Sequence, residues 1–295
     1  MTFIEKLVQE HDAYKQLGND ASRGARQTVL DRITDDIMRF VTPFDIFWDT
    51  QAVYGATIED YAANPHTKDI VDELLEFMAI LPDGARVLDI GCGTGRDALF
   101  MSVRDQEFRS SLMGRTRKGI ATRDVYSIPQ KVFSVTALDQ TPAMIAHAIQ
   151  KKRELVLRGL LDEAKHNPRF LITDMHVLKP EVVGMFDGAW SCTALFTHTP
   201  REWIHSSLRG VASVLATGGI FFVSYTNGKA DGRYDKLLLS STGRIKYFSQ
   251  PDPDEITARA KEAGLTLSSE TYNDHIVNGT ILKKNLYASQ LFVKE

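Results

Sequence analysis

The residues with the clearest chemical potential form one short run, Asp89-Ile-Gly-Cys-Gly-Thr-Gly95, entered from the apolar Val87-Leu88. Glycine at 91, 93 and 95 lets the backbone turn sharply and brings its N–H groups and a following helix N-terminus against a ligand. The spacing is G-x-G-x-G rather than the dinucleotide G-x-G-x-x-G, and an acid, Asp89, stands two residues before the first glycine. A second chemical possibility is His198, in Thr193-Ala-Leu-Phe-Thr-His-Thr-Pro200. It follows a strand-like run and is the candidate general base. It is equally placed to cap or orient the helix that Pro200-Arg-Glu begins. Of the two cysteines, Cys92 is committed to the glycine turn, and Cys192 reads as a small buried residue rather than a nucleophile. No metal site is read from the chain.

These residues need elements to hold them. Short β runs are predicted at Arg86–Ile90, Lys131–Leu138, Arg169–Thr173, Phe186–Ser191 and Gly219–Thr226, with helical patterns between the earlier ones. That alternation predicts an α/β, doubly wound, mostly parallel sheet. Thr141-Pro142 is a helix start, with Thr as N-cap and Pro at the first position. Late runs at Leu265–Tyr272 and Asn285–Val293 bring the sheet to seven strands. Their link, Asn273–Lys284, is too short for a helical crossover, so they should form an antiparallel C-terminal hairpin.

Ahead of the sheet the chain reads helical. Val29, Leu30, Ile33, Ile37, Met38 and Val41 share one helical face within Arg26–Val41, and Pro43 stops that pattern. An aromatic segment follows, with Phe44, Phe47, Trp48, Tyr54 and Tyr61, and then a second amphipathic helix over Lys68–Leu81. The division expected is a helical N-terminal lid over 1–66 and a ligand-binding domain over 67–295. Within the latter, 103–130 is polar and basic, with Arg104, Arg109, Arg115, Arg117, Lys118 and Arg123 and no steady period. It reads as an insertion between the first helix and the second strand, on the side of the sheet away from a ligand crevice.

The bulk composition limits the function classes. A net charge of −3 gives no global field toward nucleic acid or anionic lipid. No apolar run approaches a membrane span, and the N-terminal Met-Thr-Phe-Ile-Glu-Lys-Leu has neither a basic nor a hydrophobic signal region. Two cysteines are too few for a disulfide framework. Together these predict a cytoplasmic chain with reduced thiols and no membrane partner. They leave its oligomeric state open.

The run Asp89–Gly95 resembles motif I of the class I S-adenosylmethionine (SAM)-dependent methyltransferases, and the resemblance extends over 85–295. It implies SAM as cofactor, held by Asp89, Gly91, Cys92, Gly93, Thr94 and Gly95. Asp139-Gln140 resembles the ribose-binding acid and its neighbour, and Asp174-Met175 the adenine-reading pair. Phe186-Asp-Gly-Ala-Trp-Ser191 resembles the strand whose end, at Ser191, approaches the methionine part of the cofactor. Thr217-Gly-Gly resembles the family's turn into strand five, with Thr217 in place of proline. The spacing from Gly95 to Asp139, 44 residues, exceeds the usual ~20 by about the length of the insertion.

Within the family, the segment around His198 and Ile58-Glu-Asp-Tyr61 resemble the small-molecule, tellurite-resistance and thiopurine-like branch. There a tyrosine at the position of Tyr61 closes over the cofactor. The same branch places a segment like Asp231-Gly-Arg…Tyr-Phe over the acceptor. Trp48, Tyr225, Arg233, Arg244 and Lys246 are thus the expected acceptor contacts, the cations suiting a carboxylate or phosphate. The [DNS]-P-P-[YFW] signature of nucleic-acid and glutamine amino-methyltransferases is absent after strand four, where Ser191-Cys-Thr-Ala194 stands. The implied activity is methyl transfer to O, N or S of a small, anionic or neutral molecule. Two other readings stay open: a protein or RNA methyltransferase docking through the basic insertion, and a SAM-binding regulator without turnover.

Overall fold

The computed structural model describes residues 1–18, 20–63, 71–113, 130–162, 167–230, 232–240, 242–277 and 280–295. Arg115, Arg117, Lys118 and Arg123 of the insertion, and the start of the helix expected from Lys68, lie outside the described residues.

The strands in chain order are β1 (Arg86–Ile90), β2 (Ser134–Asp139), β3 (Arg169–Ile172), β4 (Phe186–Cys192), β5 (Leu215–Thr226), β6 (Asp235–Leu239), β7 (Ile245–Ser249), β8 (Leu265–Val277) and β9 (Thr280–Lys294). Seven of them build one sheet in the order β3-β2-β1-β4-β5-β9-β8. β1 to β5 run parallel, while β9 is antiparallel to both β5 and β8. This is the seven-stranded, mostly parallel architecture expected, including its C-terminal hairpin. The chain reverses its direction of travel across the sheet between β1 and β4, so the crevice beyond their C-terminal ends is where a ligand binds in such a fold.

Parallel strands buried on both faces must satisfy two cores at once. On β4, Ala189 joins a core with Leu195, Leu208, Val211 and Ile256. Its neighbour Trp190 points the other way, into a core with Phe77, Met78, Leu81 and Phe222. Trp190 stacks on Phe222 at 4.1 Å between ring centres. Gly188 has no room for a side chain: a Cβ would lie 2.8 Å from Leu81 and 2.9 Å from Phe77 of the helix Val71–Ile80 and its end.

A third core has no counterpart in the sequence reading. Ile4, Val8, Leu30, Ile33, Ile37 and Ile46 of the N-terminal helices pack with Leu237, Ile245 and Tyr247 of the β6–β7 hairpin. The hairpin lies in the segment after β5, where no strand was read. The edge of β6 is completed by a side chain: the Gln27 amide donates to the Leu237 carbonyl and accepts from the Leu239 N–H, both at 2.9 Å. Residues from 3 to 56 and from 235 to 249 thus form one cap. Pro43, expected only to end a helix, is the first residue of another, Pro43–Ala56. Thr42 and Asp45 form its capping box.

Candidate active site

The crevice holds a pocket that is partly open to solvent. Gly91, Gly93, Asp139 and Gln140 form its floor, Met175 and Cys192-Thr193-Ala194 its wall, and Thr50, Tyr54, Tyr61 and His198 its roof.

The floor follows from the glycine turn. Gly91, Gly93 and Gly95 have φ of 73°, 52° and 80°, the left-handed region that glycine enters without penalty. A Cβ on Gly91 would stand 2.2 Å from that of Ala194, so the turn and the loop after β4 approach as closely as backbones allow. Gly91 and Cys92 donate to the Leu138 carbonyl at 2.8 and 2.9 Å, fastening the turn to β2. Asp139 completes the brace, accepting from the Gly93 N–H at 3.0 Å and the Thr141 N–H at 2.8 Å. Burial still raises its carboxyl above the ordinary value. The Asp139 carboxylate lines the pocket and can still accept from a ligand hydroxyl.

Asp89 lies beneath the turn, 2% exposed. Its Oδ2 is buried with no hydrogen-bond partner among the described residues. Burial, then the neighbouring Asp97, push its pKa well up, opposed by Arg96. Arg96 is itself bound to Asp97 at 2.6 Å, and Trp190 Nε1 donates to Asp97 at 3.0 Å. Asp139 in the floor and Asp89 beneath it, with Arg96 engaged by Asp97, give this end of the pocket an acidic character that suits a cationic ligand. S-adenosylmethionine, with an ammonium and a sulfonium, fits this donor set, and its adenosine hydroxyls fit Asp139.

The roof centres on His198, 7% exposed. Its Nδ1 faces the Tyr247 carbonyl at 2.8 Å, which only accepts, so Nδ1 carries the proton. Nε2 is then bare and accepts from the Tyr54 hydroxyl at 2.8 Å. Burial holds the Tyr54 phenol protonated, its pKa raised further by Asp139. Tyr61 lies edge-on to Tyr54, 5.9 Å between centres, with its hydroxyl over the position a Cβ of Gly93 would take, 3.4 Å away. Thr193 beside them has φ of +49°, an uncommon conformation for a residue with a Cβ.

The structure therefore gathers Gly91, Gly93, Asp139, Gln140, Met175, Tyr61 and His198 in one pocket, and it redistributes the other expected site residues. Gly95 instead N-caps the helix Arg96–Ser102, and the Cys92 thiol packs toward the Trp190 core. Thr94 is buried and accepts from Lys151 at 3.3 Å. Ser191, expected at the cofactor, is fully buried; its hydroxyl donates to the Ile90 carbonyl and accepts from the Leu195 N–H. Asp174 turns its carboxylate onto the His176 N–H at 2.8 Å, capping the turn after β3. Burial drops His176 to about 4, so that ring is neutral beside Ser207.

Most expected acceptor contacts need correction. Trp48 is 63% exposed, because on the helix Pro43–Ala56 it lies on the face opposite Thr50 and Tyr54. Tyr225 is buried in the sheet core, its hydroxyl donating to Gln290 at 2.6 Å. Arg233 donates to the Asp31 carbonyl, and Arg244 makes a two-pronged pair with Glu5 at 2.6 and 3.0 Å. Both hold the cap together. Only Lys246 stays beside the roof, its Nζ 5.2 Å from the Tyr54 ring centre, behind the residues that line the pocket. Tyr54 and Thr50 were missed as pocket residues; their i, i+4 spacing on one face of an aromatic segment was the available signal.

The comparisons agree with this geometry. A family model described as a methyltransferase domain matches residues 61–270. Among solved structures, 1,6-didemethyltoxoflavin-N1-methyltransferase from Burkholderia thailandensis, with 1,6-didemethyltoxoflavin and S-adenosylhomocysteine bound, superposes with a TM-score of 0.54 at 17% identity, over 86% of this chain and 91% of that one. A TehB-like SAM-dependent methyltransferase from Corynebacterium glutamicum gives 0.51 at 16% identity, over 83% and 98%. The [4+2]-cyclase SpnF gives 0.54 at 18% identity, over 83% and 94%. At these identities the likeness establishes the fold, and the SpnF match shows that fold alone does not fix the chemistry.

Proposed function

The chain belongs to the family of methyltransferase domains, and on that premise we propose that it moves the methyl group of S-adenosylmethionine to a protic O, N or S atom of a small molecule in this pocket. Bound over the glycine turn, the cofactor supplies an electrophilic sulfonium methyl. The chain's residues supply position and a place for the proton. The acidic floor favours the cationic cofactor over its neutral sulfide product. Tyr61 lies over the turn, and Asp139 takes the ribose hydroxyls; Met175, in the pocket wall, would line the adenine side.

The observation that carries this reading is the Tyr54–His198 pair at the roof. With Nδ1–H fixed on the Tyr247 carbonyl, Nε2 is the only basic nitrogen, and it reaches the pocket through the Tyr54 hydroxyl. As the acceptor gives up its proton on methylation, the Tyr54 oxygen would take that proton while the phenolic proton would move to His198 Nε2. Tyr54 never needs to ionise, which its burial disfavours. A small pocket roofed by two tyrosines supports a metabolite rather than a protein or RNA chain. Arg109, one of the insertion's cations, is fully buried and takes no part in docking.

The test pairs Tyr54→Phe and His198→Asn in single-turnover methyl transfer to a metabolite pool, read as S-adenosylhomocysteine formed. Each should lower the rate by ~10²–10⁴-fold with SAM affinity within about twofold of wild type. Unchanged rates in both variants, with normal melting, would assign the pair a structural role only. Absence of product from the wild type with SAM bound would leave the regulator reading.

A further inference from the structure

We infer that the methyl acceptor is a small organic acid whose carboxylate pairs with Lys246; this rests on the methyltransferase reading above and names its substrate class. β7 alternates: Ile245 and Tyr247 face the cap core, so Lys246 and Phe248 face the other way, toward Tyr54 and His198. Lys246 Nζ stands 5.2 Å from the Tyr54 ring centre and 5.7 Å from that of Phe248. Phe248 in turn meets the His198 ring edge-on at 5.2 Å. The ammonium is therefore part of the same aromatic cluster as the proposed base.

What sets it apart is its lack of a counterion. The neighbouring cations of the cap are occupied, Arg244 by Glu5 and Arg233 by the Asp31 carbonyl. Lys246 has no carboxylate within ion-pair distance among the described residues, only the two ring faces. Its pKa is lowered by burial alone. A partly dehydrated ammonium without an anion is costly, and a ligand carboxylate removes that cost. One compact cation, with no guanidinium fork beside it, suits a monoanion better than a phosphate. The ring faces of Tyr54 and Phe248 beside Nζ favour an acid that itself carries a ring. A hydroxy- or amino-aromatic acid combines such a ring with a carboxylate and a protic atom.

The test uses the full chain saturated with S-adenosylhomocysteine, titrated in a calorimeter with 3- and 4-hydroxybenzoate and with the corresponding hydroxybenzamides. The acids should bind wild type at least tenfold more tightly than the amides. Lys246→Met should weaken the acids by about tenfold, leave the amides alone and leave S-adenosylhomocysteine affinity unchanged; Lys246→Arg should restore most of the acid affinity. Amides that bind as well as acids, a preference that survives in Lys246→Met, or no binding of any probe overturns the inference. The comparison of acid with amide needs only wild type, so it holds even if a variant folds poorly. Failure of S-adenosylhomocysteine itself to bind wild type would sink the methyltransferase reading, a separate outcome.

Discussion

The floor and the roof of the pocket are built on opposite plans. The floor is local: Asp89 to Gly95 supply strand end, turn and helix start within seven residues, and Asp139 braces them from the next strand. The roof is assembled from distant stretches. Tyr54 comes from the helix Pro43–Ala56, His198 from the loop after β4, and the carbonyl that fixes its tautomer from Tyr247 on β7. A floor of this kind tolerates no change in shape and depends on few contacts outside its own stretch, those to β2 and to Ala194. A roof of this kind is only as good as the packing of the cap, and it can vary in substrate while the floor keeps its cofactor.

The comparison breaks first at Gly91. Gly91→Ala places a Cβ 2.2 Å from that of Ala194 and forces a left-handed φ of 73° on a residue that resists it. We expect a loss of at least ~3 kcal/mol in stability, with SAM binding abolished. Calorimetry and a melting curve read both. A variant that still bound SAM normally would show that the floor is not the rigid template its contacts imply.

The next effect in size belongs to the cap. Glu5, 6% exposed, accepts from Arg244 and from the N–H groups of Thr2 and Ile245. Burial alone would raise its carboxyl, but those hydrogen bonds hold it below the ordinary 4.5. A depressed carboxyl stabilises fully above that ordinary value, and the contribution is lost as pH falls through the lower folded value. Glu5→Ala should cost about 2–3 kcal/mol, the lower end for one half of a buried pair because Arg244 keeps some water. It should also flatten the acid limb of the stability curve. In methyl transfer it should raise the acceptor's KM while SAM affinity stays within about twofold. Equal damage to both ligands would mean that floor and roof are one cooperative unit.

The same contrast explains what was legible in the sequence. The seven-stranded sheet could be read because each strand carries its own apolar run and each turn its glycine or proline. The floor could be read because its residues are neighbours in the chain. The β6–β7 hairpin could not: Lys236, Lys246 and the turn after Ser240 look like polar surface, and its apolar residues Leu237, Ile245 and Tyr247 find partners only among helices some 200 residues earlier. Trp48 and Tyr54 show the limit at the level of single side chains. Both are aromatic residues of one segment, and only the helix phase, fixed by Pro43 and the Thr42 cap, decides which enters the pocket. Arg233 and Arg244 were legible as cations, but their partners Asp31 and Glu5 belong to the cap.

The smallest effect is expected in the insertion. Its beginning is not dispensable: Arg109 is fully buried, its Nε donating to the Phe100 carbonyl at 3.0 Å and its Nη2 to that of Lys131 at 2.7 Å. Burial, with Arg104 nearby, lowers its pKa to about 10. The Lys131 ammonium in turn donates to the Ala79 and Leu81 carbonyls, both at 2.6 Å. These bonds fasten both flanks at the start of β2, the end of the strand away from the glycine turn. Replacing 104–130 whole would therefore remove an anchor, whereas replacing only 114–129 with a Gly/Ser linker of half that length keeps it. Halving a connection alters closure entropy by only ~0.6 kcal/mol, and the crevice lies at the other end of β1 and β2. SAM affinity of that variant should match wild type within about twofold and its melting temperature should shift by no more than a few degrees. If SAM binding fell tenfold in the folded variant, the segment would reach the ligand side of the sheet, and the separation of floor from flank drawn here would be wrong.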